Sequence, residues 1–197
     1  MLNIAVLVSG GGTNLQALLD AEKRGELDGS KISLVLSSSP TAYALERAKA
    51  YGVDTAVLER KKFADAAEYD KALLSALTRQ DIGLVVLAGF LCILGDETLN
   101  AYKRRIINVH PSLIPAFCGD GFYGLRVHEA ALKKGVKVSG ATVHFVTNVV
   151  DGGEIIMQKA VDVLPNDTAQ SLQRRVMEQA EWELLPKAVA AFIRHEI

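Results

Sequence analysis

The sequence predicts an α/β fold. It is expected to be a single-domain, three-layer sandwich, with a mostly parallel, twisted sheet, helices on both faces and an antiparallel strand pair near the C-terminus. Three observations predict it. Short apolar runs of strand length alternate with stretches of helical periodicity through the first two thirds of the chain, as strands buried in a parallel sheet do. The last third instead holds two long β-type runs joined by one short loop. The length of 197 residues, with 49% hydrophobic and 23% charged, suits one globular core that buries roughly 70% of the unfolded surface.

Residues 2–8 (LNIAVLV) read as the first strand, closed by Ser9-Gly10-Gly11-Gly12. From Thr13, Leu15, Leu18 and Leu19 fall at helical spacing until Gly25, which stops the helix. Ile32–Leu36 is a second strand, residues 44–51 a second helix, and Val53–Leu58 a third, short strand. Residues 65–79 are helical, with Tyr69, Leu73, Leu74 and Leu77 on one side. Gly83–Ala88 and Arg105–Val109 are two further strands, with a short helix over Asp96–Tyr102 between them. Lys137–Val146 and Glu154–Val163 form the late strand pair, joined by Thr147–Gly153. A helical tail carries Leu172, Val176, Leu184, Leu185, Val189, Phe192 and Ile193, and Pro186 is expected to kink or split it. Neither linker nor repeat interrupts the chain, so one domain over 1–197 is expected.

Lys plus Arg number 22 and Asp plus Glu 23, for a net charge of −1. This lacks the basic excess that a nucleic-acid partner calls for. Only Cys92 and Cys118 are present, with neither a disulfide framework nor metal-type spacing, which suits a reducing cytoplasm. The first apolar run is too short to span a membrane and lacks a basic leader, so neither membrane nor secretion is expected.

Two motifs carry chemistry. Ser9-Gly10-Gly11-Gly12-Thr13-Asn14 stands between a buried strand and a helix, where close backbone approach and free amides attract an anion. Leu15 stands where a dinucleotide fingerprint would need a glycine, and the Lys-Ser/Thr pair of a phosphate loop is missing, so a single phosphate is the expected ligand. Its alternative is a tight turn without ligand. In Asn108-Val109-His110-Pro111, Asn108 and His110 are two apart at a strand end and share a face. An amide and an imidazole at the carboxyl edge suit a reaction in which a carbonyl oxygen gains charge. Asp151, in Asp151-Gly152-Gly153, is expected to approach His110, orient it and raise its pKa. His144 alternates with apolar residues and reads as structural. His128 begins an apparent helix and either lines a cleft or caps that helix. No nucleophile elbow is present, and no His, Cys, Asp and Glu grouping suits a metal.

These residues, together with Ala88-Gly89-Phe90, Ser112-Leu113-Ile114-Pro115 and His144-Phe145-Val146, closely resemble the phosphoribosylglycinamide formyltransferases. That family comprises folate-dependent enzymes of purine biosynthesis within a wider formyltransferase superfamily. The resemblance runs over nearly the whole chain. It implies the formyltransferase fold, with a phosphate-binding N-terminal half and a folate-binding, catalytic C-terminal half. It also implies transfer of a formyl group from the co-substrate 10-formyltetrahydrofolate to 5'-phosphoribosylglycinamide, with no metal, in a monomer or weak homodimer. Gly12, Thr13 and Asn14 would bind the ribonucleotide phosphate. Leu91, Cys92, Ile93 and Leu94, with Asn108 and Val150 of the 147–151 loop, would line the folate pocket. Asn108, protonated His110 and Asp151 would be catalytic, and Glu181 in the tail would face the glycinamide. The sequence departs from the family at Cys92 and Ala66, where Arg is usual, with Arg60, Lys61 or Lys62 as possible substitutes for the second. The loop 117–125 is longer than the family's. A formyltetrahydrofolate hydrolase would carry an additional N-terminal domain, and a methionyl-tRNA formyltransferase an appended RNA-binding one. A non-catalytic sugar-phosphate binder would use the glycine loop alone and leave Asn108, His110 and Asp151 without purpose.

Overall fold

A computed structural model describes all 197 residues. The strands are β1 (Asn3–Val8), β2 (Lys31–Ser37), β3 (Asp54–Val57), β4 (Ile82–Leu87), β5 (Ile106–His110), β6 (Val138–Phe145) and β7 (Ile155–Asp162). The helices are α1 (Thr13–Lys23), α2 (Ala44–Ala50), α3 (Ala66–Arg79), α4 (Asp96–Ala101), α5 (Leu125–Lys134), α6 (Ala169–Val176) and α7 (Trp182–Ile193). The seven strands form one sheet in the order β3-β2-β1-β4-β5-β6-β7. The first five run parallel, and β6 pairs antiparallel with both β5 and β7.

The two-residue period of the strands divides the core between the faces. Ile4, Val6 and Val8 of β1, with Leu84 and Val86 of β4, join the larger core under α1, α2, α6 and α7. Ala5, Leu7, Val85 and Leu87 join the smaller core, which holds Leu73 and Leu77 of α3 and Tyr102 after α4. The strands are therefore apolar on both sides, which explains their unbroken hydrophobic runs.

The chain runs outward from β1 to β3 and then returns to β4 on the other side of β1. Between the carboxyl ends of β1 and β4 lies the switch point at which open α/β sheets bind ligands. The glycine loop follows β1, and the 89–94 segment follows β4, so both motifs flank that crevice.

The tail differs from its expected form. Residues Met177–Glu181 make a π turn, and α7 then continues through Pro186. The helical backbone is continuous from α6 through the π turn into α7, so the proline does not split the tail.

Candidate active site

Asn108 and His110 stand on the face of β5 opposite Ile107 and Val109, which lie in the larger core. Antiparallel pairing sets His144 of β6 across from Asn108, and Thr142 across from His110. Four polar side chains thus share one patch at the carboxyl end of the parallel strands. Thr142 Oγ1 donates to Ser112 O at 2.7 Å and accepts from the Ile114 amide at 3.0 Å. These bonds fasten the turn after His110 to β6.

His110 is 4% exposed. Its Nε2 lies 2.9 Å from Phe117 O, so Nε2 carries the proton and donates it. Its Nδ1 lies 3.4 Å from Asp151 Oδ2. That oxygen also accepts from the Gly119 amide at 2.9 Å, and Asp151 Oδ1 lies 3.6 Å from His144 Nε2. His144 Nδ1 donates to Phe145 O at 2.8 Å, which leaves Nε2 free to accept from Asn108 Nδ2 at 3.1 Å. This fixes the orientation of the Asn108 amide and leaves its second N–H available. Sequence reasoning read His144 as structural, and it proves to touch two of the three expected catalytic side chains.

The expected trio does meet, but its electrostatics are reversed for the imidazole. Burial lowers the His110 pKa, and the Phe117 hydrogen bond and the Asp151 charge only partly offset this. The expectation that Asp151 holds a protonated His110 is therefore corrected: desolvation of the cation outweighs the carboxylate. For Asp151, burial pulls the pKa upward, but the Gly119 amide and the neighbouring imidazoles of His144 and His110 take it below its ordinary value. Phe117 and Asp151 both hold positive φ, 51° and 53°. That conformation is rare for an aromatic residue and typical of strained functional loops.

A cavity of about 420 Å³ opens onto these groups, and Asn14, Asn108, His110, His128, Asp151 and Glu181 all border it. A smaller space of about 120 Å³ adjoins it, walled by Leu87, Phe90, Ile93, Leu94, Val146 and Val149. Leu91, Cys92, Ile93 and Val150 border the first cavity as well. Leu94 is buried, whereas Leu91 and Ile93 are 63% and 71% exposed. No set of three or more His, Cys, Asp or Glu side chains is arranged to hold a metal ion.

Gly12 and Thr13 border the glycine loop rather than the cavity. Gly12 has φ 72°, and a Cβ there would lie 2.6 Å from Ala44 Cβ, so only glycine fits. The carbonyls of the three glycines are all engaged within the chain. Gly10 O accepts from Ala44 N, Gly11 O from Arg47 Nε and Gly12 O from Gln16 N. None of the amides of residues 10–15 donates a hydrogen bond within the chain. Engaged acceptors and unpaired amide donors at a helix N-terminus suit a nest for an anion. Arg47 was missed in the sequence because a cation on an exposed helix face reads as solvated.

Asn14 Nδ2 donates to Glu181 Oε2 at 2.6 Å. Burial pushes the Glu181 carboxyl up to about 7, against the lowering effect of that bond. The π turn directs Glu181 and Met177 toward the cavity, and Met177 Sδ accepts from Thr13 Oγ1. Of the departures, Ala66 is exposed at the start of α3. Lys61 and Lys62 both pair with Glu59, and Arg60 donates to Phe63 O. Cys92 and Cys118 are free thiols. Asp70, buried on α3, accepts from the amides of Gly95 and Thr98, which anchors the far end of the 89–94 segment. Ser9 Oγ accepts from the Leu91 amide at 2.9 Å and ties that segment to the glycine loop.

Comparison with known proteins matches residues 2–189 to the family described as Formyl transferase. The chain is 37% identical over 194 residues to a chloroplastic phosphoribosylglycinamide formyltransferase of Vigna unguiculata, covering 98% of this chain and 62% of that protein. It is 40% identical over 192 residues to the trifunctional purine biosynthetic protein adenosine-3 of Drosophila melanogaster, of which it spans 14%. Among solved structures, glycinamide ribonucleotide transformylase 1 from Symbiobacterium toebii is similar with a TM-score of 0.93 and 42% identity, over 99% of this chain and 89% of that one.

Proposed function

This chain belongs to the formyl transferase family, and from that membership we propose that it transfers the formyl group of 10-formyltetrahydrofolate to the amine of 5'-phosphoribosylglycinamide in purine biosynthesis. One observation carries the reading. A cavity bordered by Asn108, His110 and Asp151 also reaches Asn14, at the edge of a loop whose six amides lack acceptors. The loop suits the ribonucleotide's phosphate, with Gly12, Thr13 and Asn14 as its contacts. The apolar side chains left open at Leu91, Ile93, Val149 and Val150 fit a heteroaromatic co-substrate, because such patches mark binding surfaces. The folate supplies the formyl carbon, and the rest of the chemistry falls to the side chains.

Asn108 donates its free N–H to the formyl oxygen as negative charge develops there, a contribution of about 3–4 kcal/mol. His110 starts neutral, with its Nε2 proton held by Phe117 O and its unprotonated Nδ1 beside Asp151. It takes the proton of the attacking amine at Nδ1 and becomes an imidazolium beside Asp151. Asp151 stabilises that cation, and His144 keeps Asn108 aligned. His110 then passes the proton toward the departing folate nitrogen. The enzyme acts in the cytoplasm, as a monomer or weak homodimer, without nucleic-acid or membrane partners.

The test is incubation with 10-formyltetrahydrofolate, with and without 5'-phosphoribosylglycinamide. Loss of formyl that depends on the ribonucleotide is the expected result. Loss without an acceptor would indicate a hydrolase, and no loss at all would leave only a sugar-phosphate binder.

A further inference from the structure

His128 lies in the first turn of α5 beside buried Val127. It is wholly buried and forms part of the wall of the larger cavity. Neither Nδ1 nor Nε2 has a hydrogen-bond partner within the chain. Buried polar atoms are almost always paired, and a leucine would fill such a site without that penalty. Asn14, on the same cavity, repeats the pattern. Its Nδ2 is committed to Glu181, and its Oδ1 is buried and unpartnered. Two orphaned groups on one cavity call for a guest with polar hydrogens and lone pairs of its own.

We propose that His128 is a recognition residue for the phosphorylated acceptor, binding a group that both donates and accepts hydrogen bonds, either a ribose hydroxyl or the glycinamide amide. This rests on the ribonucleotide reading of the cavity. His128 is absent from the smaller apolar space and shares its cavity with Asn14 and Glu181 beside the glycine loop. Leu91, Ile93 and Val150 border the same cavity, but its polar groups beside the glycine loop are Asn14 and Glu181, so the acceptor is the guest assigned to His128 and folate binding is the control. A neutral imidazole offers one donor and one acceptor on separate ring edges, which matches a hydroxyl or a secondary amide. Burial pushes the His128 pKa down to about 4, so the imidazole is uncharged at neutral pH.

The experiment uses His128→Leu, with His128→Gln as a second variant that keeps one donor and one acceptor and carries the test if the first does not fold. Steady-state kinetics with 5'-phosphoribosylglycinamide, equilibrium binding of a folate analogue and thermal melting are measured on the full chain. In His128→Leu the acceptor KM rises roughly 10–100-fold. Its kcat and folate affinity stay within about threefold, and its melting midpoint is unchanged or higher, because the orphaned nitrogens are gone. His128→Gln recovers part of the KM. The 2'- and 3'-deoxy ribonucleotides then separate the two partners. A hydroxyl contact means one of them loses nothing further in His128→Leu, and an amide contact means both lose as they do in the unmodified protein. An acceptor KM within twofold of the unmodified protein overturns the proposal, at any melting midpoint. So does a parallel loss of folate binding, which would signal general distortion. If the unmodified protein does not formylate this ribonucleotide, the functional reading fails instead.

Discussion

Replacing Asp151 with Asn keeps the side chain's shape and removes its charge, so it isolates what the carboxylate does for His110. The Nδ1–Oδ2 separation is 3.4 Å, and at an effective dielectric of 20 two unit charges at that distance attract by about 5 kcal/mol. The attraction exists only once His110 has taken a proton, so it acts on the barrier and not on substrate binding. At about 1.4 kcal/mol per decade the whole charge would account for between three and four powers of ten. The amide dipole retains a part, so kcat should fall roughly 10³-fold, with both KM values within about threefold. The pH profile gives a second readout. Burial already lowers the His110 pKa, and a neutral base loses activity as pH falls through that value. The carboxylate favours the imidazolium, so removing it lowers the pKa further, and the acid limb of kcat/KM moves to lower pH. Both quantities come from following formyl release from the folate at a series of pH values. A fall of less than tenfold, or an acid limb displaced upward, would refute the role given to Asp151.

Three further substitutions test neighbouring parts of the site. His144→Leu removes the acceptor that fixes Asn108 Nδ2, so kcat should drop about 10–100-fold with little change in KM. An unaffected kcat would mean that Asn108 needs no support. Gly12→Val combines positive φ with a Cβ 2.6 Å from Ala44, so the melting midpoint should fall by several degrees, from a cost of about 2–4 kcal/mol. The ribonucleotide KM should rise while folate affinity holds, as titration of each substrate will show. Arg47→Ala frees the Gly11 carbonyl and should raise the ribonucleotide KM about tenfold. Arg47→Lys should recover only part of that, because an ammonium lacks the rigid fork that sets Nε on Gly11 O and Nη1 on Gln16 Oε1.

The parallel half of the fold was legible because both faces of its strands are apolar, and unbroken runs such as Ile4–Val8 have few other readings. Asn108 and His110 were legible for a local reason, since a two-residue period followed by proline marks a strand end. What escaped was set by contacts distant in sequence. His144 alternates with apolar residues as any core histidine would, and only the β5–β6 register brings it opposite Asn108. Arg47 reaches a carbonyl 36 residues away. Pro186 was a visible signal that does not split the tail, and the π turn before it leaves no trace in residue types. The His110 pKa was misjudged because its charge partner can be read from a motif, whereas its 4% exposure comes from packing that brings Phe117 O onto Nε2.

Burial also leaves two opposed titrations in the cavity wall, with a consequence for stability. The His128 pKa falls from 6.5 to about 4 on folding, so between those values the unfolded chain binds more protons, and stability rises with pH. Glu181 moves from 4.5 to about 7. Between those values the folded chain binds more protons, and stability falls with pH. Each interval corresponds to about 3 kcal/mol, with opposite sign. Across the shared window from 4.5 to 6.5 the two trends largely cancel, and His110, lowered like His128, leaves a shallow rise. Removing either group should expose the other. Urea unfolding of His128→Leu should show stability decreasing as pH rises through that window, and Glu181→Gln should show it increasing more steeply than in the unmodified chain. If both variants keep the parent's slope, these two groups do not titrate as buried side chains, and the desolvation argued for the whole cavity fails with them.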